Sequence, residues 1–157
     1  MGQTGSPDRK SEGTWGAAVL LGEFRHALDT KGRVFLPARW REELGEKVVL
    51  TLGLDRCLYL MTKESFSEMA EHFERWQLEH EDARRYQRLF FAKASEESVD
   101  SQGRITIPPP LREVAGLTKE LVLAGASKRA EVWDRTRWDA YSGEAQERYE
   151  EIARGLL

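Results

Sequence analysis

The 157-residue sequence has few of the features that mark exported, disulfide-bonded or membrane-spanning proteins. Cys57 is its single cysteine, so no disulfide can form within the chain, and this favours a reducing compartment. The longest apolar run, residues 15–21, is interrupted by Gly16 and is far too short to cross a bilayer. Because this run also lacks the basic start of a secretory signal, we expect a cytoplasmic protein with no membrane partner.

The sequence also lacks an excess of positive charge. Its net charge of −3 gives nucleic-acid binding no support from the total alone. The distribution is more informative, because acidic residues concentrate at 64–97 and after Asp139. Basic side chains gather instead in a short segment in the first quarter of the chain; they are Arg25, His26, Lys31, Arg33, Arg39 and Arg41. A local basic surface is therefore compatible with the acidic total.

Recognisable catalytic patterns are missing as well. The three histidines, His26, His72 and His80, have no metal-ligand spacing, and Cys57 has no obvious neighbouring base. The sequence contains no glycine-rich phosphate loop and no serine-centred elbow. We therefore expect a protein that is not an enzyme and that has no metal, no cofactor and no small-molecule substrate.

The most informative feature that is present is an internal repeat. Residues 29–37 read DTKGRVFLP, and residues 100–108, 71 positions later, read DSQGRITIP. The similarity continues, since the Arg-Glu pair at 41–42 corresponds to the pair at 112–113. Two copies in one chain predict a pseudo-symmetric unit with two equivalent turns. Such a unit suits a repetitive or dyad-related partner better than a single active-site cleft.

Each copy predicts the same order of elements: strand, turn, strand, short helix and a closing pair of strands. In the first copy the strands are expected at 24–28 and 34–36, the helix at Ala38–Leu44, and the closing pair at 48–52 and 57–60. The turn contains an aspartate that can accept backbone N–H groups and a glycine that tolerates positive φ. These residues favour a tight hairpin between the first two strands.

In the second copy, prolines 108–110 are expected to begin the equivalent helix, and the closing strands are expected at 121–124 and 130–133. The loop before this copy is expected at Ser95–Ser98. The predicted boundaries are 1–17 for a disordered extension, 22–67 and 93–137 for the two repeats, 68–92 for a helical insert and 138–157 for a C-terminal helix.

The insert shows apolar side chains at three- and four-residue steps, which predicts a helix packed mainly onto its own chain. A subunit interface is the alternative interpretation. These side chains are Phe66, Met69, Ala70, Phe73 and Trp76. Ser65 and Glu68 suit a capping box at the start of this helix. The C-terminal helix is expected to kink near Ser142-Gly143, with Tyr149 and Ile152 facing inward.

The two Asp-x-x-Gly-Arg turns carry the main functional hypothesis. Arginine can bind guanine O6 and N7 with two hydrogen bonds and can also bind phosphate, and a two-stranded ribbon fits the major groove. The alternative is that Asp29 and Arg33 pair only to make the turn rigid. For one motif alone this alternative would be favoured. Because the motif occurs twice, each time before the same helix start, the two interpretations have comparable support.

The order Asp-x-x-Gly-Arg, apolar, x, apolar, Pro, followed by Trp-Arg-Glu or Leu-Arg-Glu, resembles the SpoVT/AbrB swapped-hairpin DNA-binding domain. Two copies separated by a helical pair resemble the MraZ family of bacterial transcriptional regulators. The segments 88–96 (RLFFAKASE), 115–120 (AGLTKE) and 131–134 (EVWD) add to this resemblance, which covers residues 22–139.

The resemblance implies an α+β fold, mainly β with α. The two internal repeats would form a pseudo-dimeric swapped-hairpin β-barrel, to which the helical insert and C-terminal helix are added. It also implies a ring-shaped homo-oligomer that binds tandem repeats in double-stranded DNA upstream of its own division and cell-wall gene cluster. Repression is the simplest mode, because a ring over the start region excludes polymerase, and we expect the protein to associate with the nucleoid.

The resemblance assigns DNA binding to both turns and, less strongly, to two flanking arginines as phosphate contacts. The residues are Lys31, Gly32 and Arg33, then Gln102, Gly103 and Arg104, and finally Arg25 and Arg39. Since Gln102 stands where the first copy has Lys31, we rank Arg33 with Lys31 above Arg104. Asp29 and Asp100 are expected to shape the turns. The alternative function is a protein-interaction module of the same fold, antitoxin-like or scaffolding.

Overall fold

The computed structural model describes residues 19–157; the predicted extension at 1–17 lies outside them. Within this part of the chain are eight strands and six helices. The strands are β1 (Glu23–Ala27), β2 (Arg33–Phe35), β3 (Lys47–Leu52), β4 (Leu58–Met61), β5 (Ser95–Ser98), β6 (Arg104–Thr106), β7 (Glu120–Ala126) and β8 (Arg129–Asp134). The helices are α1 (Ala38–Leu44), α2 (Lys63–Glu74), α3 (Glu81–Ala92), α4 (Pro109–Val114), α5 (Arg135–Glu147) and α6 (Tyr149–Leu156). None of the helices in this part of the chain has the length and apolar character needed to span a membrane.

The strands exchange partners between the two repeats. They form a six-stranded antiparallel sheet in the order β1-β7-β8-β4-β3-β5 and a separate two-stranded ribbon of β2 and β6. The first strand of each repeat thus pairs with the third strand of the other, β1 with β7 and β5 with β3. The predicted α+β fold of two swapped repeats, with helices between and after them, is confirmed.

The predicted hairpin between the first two strands is wrong as a strand pair, although its turn is tight. Asp29 N–H donates to the Arg33 carbonyl at 2.9 Å, and Gly32 N–H donates to the Asp29 carbonyl at 3.0 Å. Beyond this turn the strands diverge, because β1 pairs with β7 in the sheet whereas β2 pairs with β6 in the ribbon. The local sequence sets the turn, and pairing with the other repeat determines the course of both strands.

The core has two parts, one on each side of the sheet. The first part lies between the six-stranded sheet on one side and the ribbon with helices α1 and α4 on the other. It includes sheet residues such as Leu50 and Leu123, and from the ribbon, the helices and the segments next to them Val34, Leu36, Trp40, Ile105, Ile107 and Leu111. The second lies beneath the insert, where Phe73 and Phe90 pack in an edge-to-face contact with ring centroids 5.0 Å apart. Packing of the insert onto its own chain is therefore confirmed.

Two local predictions around the insert are wrong. The residue that caps α2 is Thr62, whose hydroxyl accepts from the Ser65 N–H at 3.0 Å, so the helix begins three residues earlier than a capping box at Ser65 requires. Ser95–Ser98 forms strand β5 rather than a loop. Serine and glutamate have low strand propensity, but pairing with β3, including Leu50 opposite Ser95, overrides it.

The C-terminal helix breaks later than predicted. Gly143 lies within α5, and the break between α5 and α6 is at Arg148. A glycine inside a helix costs only about 1 kcal/mol relative to alanine, which the flanking helix formers offset. The predicted inward position of two side chains is also wrong, since Tyr149 is 73% and Ile152 is 39% exposed. The apolar stripe of α6 is real, but within one chain it faces solvent.

Candidate nucleic-acid interface

The first turn is organised by one carboxylate. Asp29 Oδ1 accepts from the backbone N–H of Lys31 at 2.9 Å and of Arg33 at 2.8 Å, while Oδ2 accepts from Arg33 Nε at 2.8 Å. These bonds, led by the one from the Arg33 backbone, hold the pKa of Asp29 below its usual value. The Asp–Arg pair that the sequence offered as an alternative is therefore present. It uses only Nε, so it does not engage the outer Nη groups of the guanidinium.

The second turn repeats this arrangement. Asp100 accepts from the backbone N–H groups of Gln102 and Arg104, both at 2.9 Å, and from Arg104 Nε, also at 2.9 Å. The same contacts, again led by the backbone bond from Arg104, lower the pKa of Asp100. Each aspartate thus orders its turn and orients its arginine, which agrees with the expectation that the carboxylates shape the turns.

Each turn glycine lies under an arginine from the other repeat. Gly32 and Gly103 have φ values of 79° and 88°, in the region that favours glycine. A Cβ on Gly32 would lie 2.8 Å from Arg112 Cζ, and a Cβ on Gly103 would meet Arg41 even more closely. The positive φ is what requires glycine at both positions, and a Cβ there would also displace the end of the arginine side chain.

Arg41 and Arg112 are held by their own repeats. Arg41 Nε donates to the Leu36 carbonyl at 3.1 Å, and Arg112 Nε donates to the Ile107 carbonyl at 2.9 Å. Each side chain thereby adds a second guanidinium beside the opposite turn. Sequence reasoning did not assign these two residues to the site. The available signal was their equivalence in the Arg-Glu pairs that follow the two turns.

The ribbon joins the two turns and presents one outer face. In its register Arg33 is opposite Thr106, Val34 is opposite Ile105, and Phe35 is opposite Arg104. Val34 and Ile105 are buried, so the alternation of strand side chains places the other four on the outside. We call this set, Arg33, Phe35, Arg104 and Thr106, the outer ribbon face. It brings the arginines of both turns onto one surface.

Backbone bonds fix the turns to the ends of this ribbon. Leu36 N–H donates to the Gly103 carbonyl at 2.9 Å, and Ile107 N–H donates to the Gly32 carbonyl at 2.8 Å. Each end of the ribbon is therefore bonded to the turn of the other repeat. The spacing between the two turns is set by the short ribbon and not by flexible side chains.

The remaining predicted site residues occupy different environments. Lys31 and Gln102 are exposed in the turns, and Arg39 is exposed in the first turn of α1. Arg25 donates to two carboxylates, Asp139 at 2.9 Å and Glu23 at 3.0 Å, and its bond to Asp139 is the main cause of its raised pKa. Its charge is thus already compensated within the chain.

Burial is the main cause of the shifted pKa values of His26 and Cys57. Burial, followed by the nearby charge of Arg41, lowers the pKa of His26. Burial raises the pKa of the Cys57 thiol to about 12, and its Sγ donates to the Leu54 carbonyl at 3.2 Å. Cys57 is 1% exposed. It acts as a small buried side chain.

Together, the fold and site define a class: a single-chain, swapped-hairpin α+β protein with two arginine turns joined by one ribbon. The family model described as "MraZ protein, putative antitoxin-like" matches the chain twice, over residues 19–89 and 90–156. The chain belongs to the MraZ family. The two matches correspond to the two repeats.

Full-length relatives support the same assignment. A protein of Heliobacterium modesticaldum named transcriptional regulator MraZ is 47% identical over 88% of this chain and 97% of its own length. The proteins of the same name from Carboxydothermus hydrogenoformans and Moorella thermoacetica are 45% and 43% identical over the same shares of the chains. The similarity therefore extends over nearly the whole of each relative.

Proposed function

We propose that this protein is a sequence-specific DNA-binding transcriptional regulator that contacts double-stranded DNA through the outer ribbon face and its two turns. The observation that carries the proposal is the placement of Arg33 and Arg104, from separate repeats, on one face of one ribbon. A two-stranded ribbon fits the B-DNA major groove, which is about 12 Å wide. The names of the relatives, all transcriptional regulators, agree with it.

The turn geometry suits base and phosphate recognition. Asp29 and Asp100 hold their arginines through Nε at 2.8 and 2.9 Å, so the Nη groups can reach outward. A planar guanidinium oriented in this way can donate to guanine O6 and N7 or to a phosphate. Arg41 and Arg112, beside the opposite turns, supply further positive charge for the DNA backbone. Arg39 and Arg25 are weaker phosphate contacts, Arg25 because Asp139 and Glu23 already neutralise it.

The two turns contribute unequally in this proposal. Lys31 adds a cation to the first turn, whereas Gln102 is neutral at the same place in the second. The side chain of Arg33 is 28% exposed and that of Arg104 is 18% exposed. Arg33 with Lys31 therefore contributes more binding free energy than Arg104.

The proposed active form is a ring-shaped homo-oligomer acting on tandem repeats upstream of its own division and cell-wall gene cluster, in the cytoplasm and at the nucleoid. Several weak contacts joined in one assembly increase avidity by about 10²–10⁴-fold. Repression follows if the ring covers the start region. Helix α6 offers a surface for assembly, because Tyr149 and Leu156 are 73% and 81% exposed on an amphipathic helix.

The test is a titration of the protein against its own upstream region, with a second duplex in which the repeats are scrambled as the control. Measurements are made at matched salt, because phosphate contacts make affinity strongly salt-dependent. We expect tighter binding to the tandem duplex and regularly spaced protection in a footprint. Equal affinities would overturn the sequence-specific claim.

The assembly is tested separately with the double variant Tyr149→Ser, Ile152→Ser. We expect a lower sedimentation mass, with an unchanged circular dichroism spectrum, because both side chains are exposed in the single chain. An unchanged mass would remove α6 from the interface. Exposed apolar residues on α6 also favour the second candidate, a protein-interaction module. Recovery of one stoichiometric foreign protein, with no shift of any upstream duplex, would favour that candidate.

A further inference from the structure

The outer ribbon face carries an aromatic side chain at the end where Arg104 lies. Phe35 is 42% exposed, although its strand neighbour Val34 is 1% exposed and lies in the core. The fold does not require an apolar residue at this position, because the equivalent residue of the other repeat is the exposed Thr106. Phe35 is therefore not needed for the core; within the single chain its ring contacts the Arg104 guanidinium and leaves the rest of its surface open to solvent.

The position of Phe35 relates it directly to the proposed DNA-binding arginines. Phe35 is opposite Arg104 in the ribbon register, and Arg104 Cζ lies 5.7 Å from the centre of the phenyl ring. Arg33 lies two residues away on the same side of the same strand. A groove that receives both guanidinium groups therefore also lies against this ring, which adjoins both arginines.

The chemistry of the groove determines what such a ring can contact. In the major groove, hydrogen-bond donors and acceptors mark every base pair, and the C5-methyl of thymine is the distinctive apolar group. Apolar side chains recognise thymine by covering this methyl. We infer that Phe35 is a specificity-determining residue that reads a thymine methyl in the major groove next to the contacts of Arg33 and Arg104. This inference rests on the proposed DNA-binding function.

The repeats differ in this respect. Thr106 is shorter than Phe35 and carries only one methyl beside its hydroxyl, so the second half of the ribbon reaches less far into the groove. Together with the change from Lys31 to Gln102, this makes the first repeat the more discriminating half. A binding site read by one ribbon is therefore expected to be asymmetric, with its required thymine on the side contacted by Phe35.

The experiment compares two versions of the upstream duplex, one made with thymine and one with uracil, which lacks only the methyl. The protein variants are the native chain, Phe35→Ser, Phe35→Ile and the control Leu89→Ser, which alters an apolar residue with 52% exposure on α3. Thermal unfolding of each variant checks that it is folded. Affinities are measured at one salt concentration for both duplexes.

For the native chain we expect uracil to weaken binding by about fourfold or more, the value of one buried methyl-sized group. Phe35→Ile and Leu89→Ser should retain this ratio, because the first keeps an apolar contact and the second lies elsewhere. Phe35→Ser should weaken binding to the thymine duplex and bring the ratio close to one.

A native ratio close to one would overturn the inference, and so would a Phe35→Ser ratio nearer to the native value than to one. Insensitivity to uracil together with loss of affinity in Phe35→Ser would point instead to insertion in the minor groove. Either result leaves the proposed function standing if the native chain still prefers the tandem duplex. If the native chain binds neither duplex, the inference and the proposed function both fail.

Discussion

Replacement of Arg33 by alanine is the most direct test of the proposed interface, and Arg84→Ala is its matched control. Both are single arginine truncations within the described residues. Arg33 projects from the first turn, whereas Arg84 lies on the insert helix α3 and donates to the Leu78 carbonyl at 2.6 Å. The comparison therefore separates loss of charge in general from loss of charge at the turn.

The turn itself should survive the change. Asp29 loses the bond from Arg33 Nε but keeps its two backbone donors, the N–H groups of residues 31 and 33, at 2.9 and 2.8 Å. The core is unaffected, since Val34 faces inward and Arg33 faces outward. A reduction in binding can thus be attributed to the missing guanidinium, provided that the thermal unfolding midpoint of Arg33→Ala remains near the native value.

The expected loss follows from what one oriented guanidinium contributes. A two-bond contact to guanine contributes about 1–3 kcal/mol, which is roughly 5- to 150-fold in Kd for each ribbon engaged. Arg84→Ala should stay within about twofold, as for most surface substitutions. Arg33→Lys is a useful third variant. It keeps the charge, so the salt dependence should be retained, but it loses the planar fork and hence the preference for the tandem duplex.

The assay is a fluorescence titration with the tandem and scrambled duplexes over a series of salt concentrations. For Arg33→Ala we expect a flatter dependence of log affinity on log salt as well as weaker binding. If Arg84→Ala proved the more damaging variant, with the oligomer intact, the reasoning would be refuted and the site would have to be moved to the insert.

Three further predictions follow from other features. Gln102→Lys gives the second turn the cation that Lys31 provides in the first. The slope of log affinity against log salt should therefore steepen by about 0.9 for each additional phosphate neutralised. An unchanged slope would show that the second turn does not reach the DNA backbone. Folding lowers the pKa values of Asp29 and Asp100. Both carboxylates should therefore stabilise the native state at pH values above their pKa in the unfolded chain, and this stabilisation should be lost as the pH falls through their pKa in the folded chain. The double variant Asp29→Asn, Asp100→Asn should therefore lose less stability than the native chain as the pH is lowered from about 5. Urea unfolding measures this loss, and an equal loss in the two proteins would contradict this account. Cys57, with a pKa of about 12, should react with a thiol reagent at neutral pH only as fast as the protein opens, so a rapid native-state reaction would contradict its burial.

The features predicted well from the sequence are those that local chemistry determines. The Asp-to-Gly turns, the short helix Ala38–Leu44 after Pro37 and the periodic insert all depend on residues close together in the chain. Their signals are strong because one conformation satisfies them without help from elsewhere. The repeat then doubled the signals of the turn and of the short helix.

The features that were missed depend on contacts between distant segments. The packing of Arg41 over Gly103 involves the other repeat, and the strand at Ser95–Ser98 exists because β3 offers it a partner. The outward position of Tyr149 has a related cause, since an apolar stripe indicates that a face is to be covered but not which chain covers it. A spacing of 71 residues showed that two copies existed, but it did not show that they exchange strands.

The exchange of strands has a consequence for how binding specificity can change. A fold of this kind assembled from two identical chains would present two identical turns, and any substitution would alter both at once. Here the two halves are joined in one chain. Their strands still exchange partners, since Glu23 of β1 lies opposite Ala124 of β7 in the sheet. One turn can therefore change while the other is retained. The two turns already differ in this way, since Lys31 of the first corresponds to Gln102 of the second. The covalent connection lets a nearly symmetric scaffold recognise an asymmetric sequence.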